Sequence, residues 1–138
     1  MTFPQLGRYP HARHVVAHVS DTHLLEGGKL LGGVADTVAA LARASEQLAG
    51  VEGTLDAIIV TGDVADLGEP DAYRIAREAL EPLAAATGAQ LVWVMGNHDE
   101  RAAFRQELLR ASPSEGPVHH VVDVNGLRVI ALDSSVPG

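Results

Sequence analysis

The chain has 138 residues, 46% hydrophobic and 20% charged, with a formal charge of −8 and no cysteine. That length suits one domain with a real core. The missing cysteine excludes disulfides and thiolate metal sites, and the lack of any basic block argues against a nucleic-acid partner. No apolar run approaches the ~20 residues that cross a bilayer, and the first residues carry no basic region followed by an apolar stretch. The expectation is a cytoplasmic protein with no membrane attachment. With only two Phe, two Tyr and one Trp, the core must be filled by Val, Leu, Ile and Ala.

Residues 1–13 read as a loose leader carrying Pro4, Gly7 and Pro10. A strand is expected at about 14–19, ending at Ser20 and Asp21. Gly27, Gly28, Gly32 and Gly33 mark residues 26–33 as a loop. Asp36 to Leu48 reads as a helix, with Val34, Val38, Leu41, Ala44 and Leu48 at helical spacing and Gly50 as its stop. A second strand is expected at 56–61 and a second helix from Pro70 to Thr87. Tyr73, Ala76, Leu80 and Leu83 form the apolar stripe of that helix, Gly88 ends it, and Pro82 is expected to kink or shorten it. A third strand at 90–95 leads to a helix from Arg101 to Arg110 and a loop at 112–117. Val118–Val124 and Leu127–Leu132 flank Asn125-Gly126, a dipeptide typical of a type I′ hairpin turn. The order β-α-β-α-β-α followed by a hairpin implies an α/β fold with a mostly parallel sheet built of βαβ units.

Three polar clusters follow the three buried-strand patterns. They are Asp21 with His23, then Gly62-Asp63-Val64-Ala65-Asp66, then Gly96-Asn97-His98-Asp99. Loops beyond the carboxyl ends of parallel strands converge on one crevice, so clusters distant in sequence can meet. Carboxylate, amide and imidazole donors suit Zn, Fe, Mn, Ni and Co. Asp63 has two oxygens and can bridge two ions, Asp66 can orient a ligand from behind, and Asp99 can fix the tautomer of His98. Each cluster alone also has an ordinary reading as a turn or helix cap.

The ordered set resembles the calcineurin-like metallophosphoesterase superfamily, whose pattern runs D-x-H, G-D-x-x-D, G-N-H-[DE], then H, then G-H-x-H. The segments Val19–Leu24 and Val60–Asp66, and Leu132-Asp133-Ser134 after the hairpin, are most similar to the bacterial class III cyclic-nucleotide phosphodiesterase branch. The resemblance covers about residues 14–135. It implies the amino-terminal part of an αββα sandwich. Two divalent ions (Mn, Fe or Zn) would be held by Asp21, His23 and Asp63 and by Asp63 and Asn97. His98 would be the catalytic histidine near the leaving group, oriented by Asp66 or Asp99. The implied substrate is a small phosphorylated molecule, a 3′,5′-cyclic nucleotide or similar phosphodiester, attacked by a hydroxide held between the metals.

The last two motifs of that pattern have no match. His119 and His120 precede the hairpin turn and read as exposed or half-buried strand residues, and His18 as packed or hydrogen-bonded. The expectation is therefore an incomplete domain over residues 14–138 that binds metal poorly alone, with an uncovered apolar sheet face that favours self-association. The alternative is a non-catalytic metal-binding or interaction module of the same fold. A metal-free nucleotide-binding domain is disfavoured because the glycines at 27–33 match neither the dinucleotide fingerprint nor the P-loop.

Overall fold

The structure, a computed structural model, describes residues 7, 10–51 and 54–135. Most of the expected leader lies outside the described residues.

Three parallel strands form the central sheet: β1 (Val16–Ser20), β2 (Ala57–Thr61) and β3 (Gln90–Val94). They lie side by side in the order β1-β2-β3, with Val16, Ala57 and Gln90 in register. Helix α1 (Thr37–Ala49) crosses from β1 to β2, and α2 (Pro70–Thr87) from β2 to β3. The two helices pack against each other, so both cover the same face of the sheet. The core follows from strand alternation. Ala17, Ile58, Val60 and Trp93 point to that face and meet Leu41, Tyr73, Ala76 and Leu80. Helix α3 (Arg101–Glu107) adds Phe104, which meets Tyr73 edge to face at 5.8 Å. The chain then forms an antiparallel hairpin, β4 (His120–Val124) and β5 (Leu127–Ala131). Asn125 and Gly126 both have positive φ, 49° and 89°, as a type I′ turn requires. The hairpin leans on the sheet at two points. Asn125 donates its amide to Asp56 at 2.8 Å, and Gln90 donates to the Asp123 carbonyl at 3.1 Å. This mixed architecture is the partial sandwich the resemblance implies.

Three expectations need correction. Val34 is 85% exposed and lies outside the stripe of α1. Asp36 accepts the Ala39 N–H and caps the helix, so the chain before it is free to turn away. Pro82 neither shortens nor interrupts α2, which runs on to Thr87; its ring sits on the exposed side, where water can reach the carbonyl it leaves unpaired. The third helix stops at Glu107 rather than Arg110. The Ala111 N–H reaches back to the Arg105 carbonyl at 3.0 Å while Arg110 takes φ 52°. That is a left-handed helix stop built without glycine.

A buried knot fastens the segment after β5 to the start of α3. The Asp133 side chain is fully buried and pairs with Arg101 Nε at 2.8 Å. It also accepts from the Val118 and Ser135 N–H groups at 3.1 and 2.9 Å. Burial pushes its carboxyl up, but the Arg101 guanidinium, the Ser135 hydroxyl and these amides outweigh burial and hold it well below the usual carboxylate range. A depressed folded-state value stabilises the fold above the ordinary carboxyl value of 3.8, and that contribution fades as pH falls through the lower folded value. Asp133→Asn is expected to lower stability by about 3 kcal/mol at neutral pH. The gap to wild type should narrow in urea titrations carried progressively below pH 3.8.

Candidate metal centre

The three polar clusters meet at the carboxyl ends of β1, β2 and β3, and backbone hydrogen bonds lace them together. The first two loops continue the parallel pairing past the strands. The His23 N–H reaches the Asp63 carbonyl at 2.9 Å and the Leu24 N–H the Val64 carbonyl at 3.0 Å, while the Asp66 N–H returns to Leu24 at 2.9 Å. The Gly62 N–H donates to Val94, which ties in the third strand. This lacing forces unusual backbone. Asp21, His23 and Asp63 all have positive φ (55°, 41° and 46°), although none is glycine. Strained non-glycine residues persist where the surroundings over-determine them, and they concentrate at functional sites.

Gly96 explains the close approach of the second and third loops. A Cβ there would fall on the Asp63 carboxylate oxygen and amide nitrogen, and 2.8 Å from the Gly62 Cα. Only a residue without a side chain lets the backbone at 96 lie against Asp63.

Asp66 sets the orientation of two histidines. Its carboxylate accepts from His23 Nδ1 at 2.9 Å. Its backbone carbonyl contacts His98 Nδ1 at 2.8 Å. A carbonyl only accepts, so His98 Nδ1 carries the proton and Nε2 is left for other work. The same reasoning frees His23 Nε2, which lies 3.7 Å from Asp63 Oδ2. The two imidazoles meet edge to face at 4.9 Å. The Asp66 carbonyl raises the His98 pKa, burial opposes it, and the negative charges of Asp63, Asp66 and Asp99 add to the rise.

One ligand atom each from His23, Asp63 and His98 lies within 4.8 Å of the others, a spacing that suits a single cation. Two imidazoles and a carboxylate fit a divalent ion of the Mn, Fe or Zn type by donor chemistry. Asp63 divides its oxygens: Oδ1 accepts the His98 N–H at 3.0 Å, and Oδ2 faces His23. The other expected ligands stand outside this tight group. Asp21 is exposed and accepts the Ser20 hydroxyl, and Asn97 is exposed on the loop between Gly96 and His98.

Of the two carboxylates expected to orient His98, the one in contact belongs to Asp66. Asp99 is buried and faces the other way. It accepts the Val64, Ala65 and Gly96 N–H groups at 3.2, 3.0 and 2.8 Å. Burial raises its pKa, and those three amides and the Tyr73 hydroxyl work against the rise. Tyr73, which the sequence reads as a plain member of the α2 stripe, is therefore part of the site's support. Burial, then the Asp99 charge, push its phenol far up, so it remains a donor. The only sequence signal was a tyrosine where leucine would have filled the stripe.

The remaining histidines lie elsewhere. His18 Nε2 bonds the Thr61 hydroxyl at 2.6 Å on the open face of the sheet. His119 is exposed, with Nδ1 accepting the Asp133 N–H at 3.1 Å, and His120 is half-buried in β4.

A parallel α/β sheet with imidazoles and carboxylates gathered at its carboxyl edge defines a class: α/β proteins that carry a candidate divalent-metal centre on their strand-end loops. The chain belongs to the calcineurin-like phosphoesterase family, whose model matches residues 14–135. It is 50% identical over 130 residues to a cAMP/cGMP dual specificity phosphodiesterase of Mycobacterium tuberculosis. It is 47% identical over 133 residues to a probable cyclic nucleotide phosphodiesterase of Rhodococcus erythropolis. It is 38% identical over 126 residues to a 3′,5′-cyclic adenosine monophosphate phosphodiesterase of Pseudomonas aeruginosa. These matches take in 94%, 94% and 90% of this chain but only 41%, 43% and 43% of the relatives. Among the described residues, no helix is long and apolar enough to cross a membrane.

Proposed function

We propose that the protein is a metal-dependent phosphodiester hydrolase acting on 3′,5′-cyclic nucleotides in the cytoplasm, and that this chain carries the first part of its metal centre. The observation that carries the reading is the convergence of His23, Asp63 and His98 on one point, with two imidazoles preset by a single residue, Asp66. The names of the relatives favour cyclic nucleotides as substrates.

In this reading Asp21, His23, Asp63 and Asn97 hold the ions, and His98 stands beside them. The bound ions would neutralise phosphate charge and polarise the phosphoryl oxygens. The chain's own residues do the rest. The Asp66 carboxylate holds His23 by Nδ1 and keeps Nε2 turned toward Asp63. The Asp66 carbonyl holds His98 by Nδ1, so a protonated His98 presents Nε2–H to the departing ester oxygen and can give it the proton. Asp99 holds the two loops in place. The net charge of −8 is no obstacle, since the metal centre supplies the local positive charge that an anionic substrate needs.

The test offers 3′,5′-cyclic AMP and bis(p-nitrophenyl) phosphate to the purified protein with Mn²⁺. Turnover that depends on Mn²⁺ and falls about a hundredfold or more in His98→Ala is expected of the enzyme. The limited donor set favours a second reading, a metal-binding module without catalysis, in which Mn²⁺ binds and neither form turns over.

A further inference from the structure

Asp99 sits at the junction of the loops that bear Asp63 and His98, and its own anchor comes from the core. Tyr73 lies on α2, fully buried, with its ring against Phe104. Its hydroxyl oxygen accepts the Glu100 N–H at 2.9 Å. Glu100 directly follows Asp99, so the hydroxyl holds the backbone beside that carboxylate. That carboxylate takes the amides of Val64 and Ala65, which follow Asp63, and of Gly96, which precedes Asn97. One hydroxyl thus anchors the residue that caps α3, and the carboxylate just before that residue holds both loops. Packing alone does not call for it. Tyr73 belongs to a cluster of apolar side chains, and a phenyl ring would fill the same volume.

We propose that Tyr73 is a positioning residue of this centre. By holding the Glu100 N–H, its hydroxyl fixes the backbone that carries Asp99, and so the separation between the Asp63 loop and the Asn97–His98 loop and the spacing of the donor atoms. The brace stands on the hydrogen bonds alone; its consequence for metal binding rests on the function proposed above. Without the hydroxyl, Glu100 loses its acceptor, and the backbone that carries Asp99 gains freedom beside Asp63, which is itself held at positive φ. A residue that orients a ligand from behind affects metal affinity without touching the metal.

The test uses the whole chain and three forms: wild type, Tyr73→Phe, and Leu80→Val as a core lesion on the same helix, away from Asp99. Amide hydrogen exchange at Val64, Ala65 and Gly96 is read by NMR, and Mn²⁺ affinity by calorimetry. In Tyr73→Phe those three amides are expected to exchange about tenfold faster while amides of α1 keep their wild-type rates. Mn²⁺ affinity should fall about tenfold. In Leu80→Val the three amides should show no excess over the rest of the core. Asp99→Asn, which keeps the shape of the side chain and removes its charge, should repeat the Tyr73→Phe pattern more strongly. Unchanged exchange at the three amides in Tyr73→Phe, or a uniform rise matching Leu80→Val, overturns the brace. Faster exchange with unaltered Mn²⁺ affinity overturns the positioning role. If wild type binds no Mn²⁺, the metal-centre reading fails by itself, and exchange alone still decides the brace.

Discussion

Gly96→Ala is expected to destabilise the fold by about 3 kcal/mol or more and to disorder the Asp63 loop. The added methyl would overlap the Asp63 carboxylate and amide and press on the Gly62 Cα. None of these can yield cheaply. Gly62 is held by its N–H to Val94, and its own φ is 70°. Asp63 is held by its carbonyl to the His23 N–H and by Oδ1 to the His98 N–H. The Gly96 N–H is itself committed to Asp99 at 2.8 Å. Relief therefore requires two strand-end loops to separate, which breaks several of these bonds together. Thermal and urea denaturation measure the loss. Gly88→Ala is the contrast: a Cβ there meets nothing within 4 Å, so only the strain of its φ of 75° remains. That strain is worth about 1 kcal/mol, so a loss at Gly96 no larger than at Gly88 would contradict the close approach of the two loops.

Asp63→Asn should have the largest effect on metal binding while leaving the fold intact. The change keeps the shape of the side chain and replaces one carboxylate oxygen with a donor that cannot ligate. Asp63 is the only carboxylate in the tight donor group, so its loss leaves that group without an anionic donor. Neutral nitrogen donors alone hold a borderline-hard cation poorly. Mn²⁺ affinity by calorimetry is expected to fall about a hundredfold or more. Asp21→Asn should cost less, because that exposed carboxylate lies outside the tight group and is already engaged by Ser20. Equal losses at the two positions would contradict this ranking.

Much of the architecture could be read from residue pattern. The α2 stripe of Tyr73, Ala76, Leu80 and Leu83 is buried throughout, between Pro70 at its first turn and Gly88 in the left-handed conformation at its end. The hairpin turn falls at Asn125-Gly126 because those residue types tolerate the positive φ it demands. What the pattern hid was conformation that no residue type announces. Arg110 takes a left-handed turn usually given to glycine, so no residue type marks the end of α3 at Glu107. In the candidate site, residue types and spacing pointed to the three loops that the structure brings together. They did not reveal which carboxylate faces which imidazole. Asp66 and Asp99 stand in equally suggestive motifs, yet one contacts both histidines and the other turns inward to three amides. That choice depends on how the loops cross in three dimensions. So does the role of the Tyr73 hydroxyl, which in sequence looks like part of a hydrophobic stripe.

If the function proposed is right, His23 and Asp63 hold a divalent cation at the cluster they form with His98. A crystal of the protein grown or soaked with Mn²⁺, with diffraction recorded to locate manganese by its anomalous scattering, tests it most directly. The expected result is a manganese peak on His23 Nε2 and the Asp63 carboxylate, with His98 beside it and both Nδ1 atoms still on Asp66. Manganese bound only elsewhere on the surface, with this cluster free of it at saturating Mn²⁺, would contradict it.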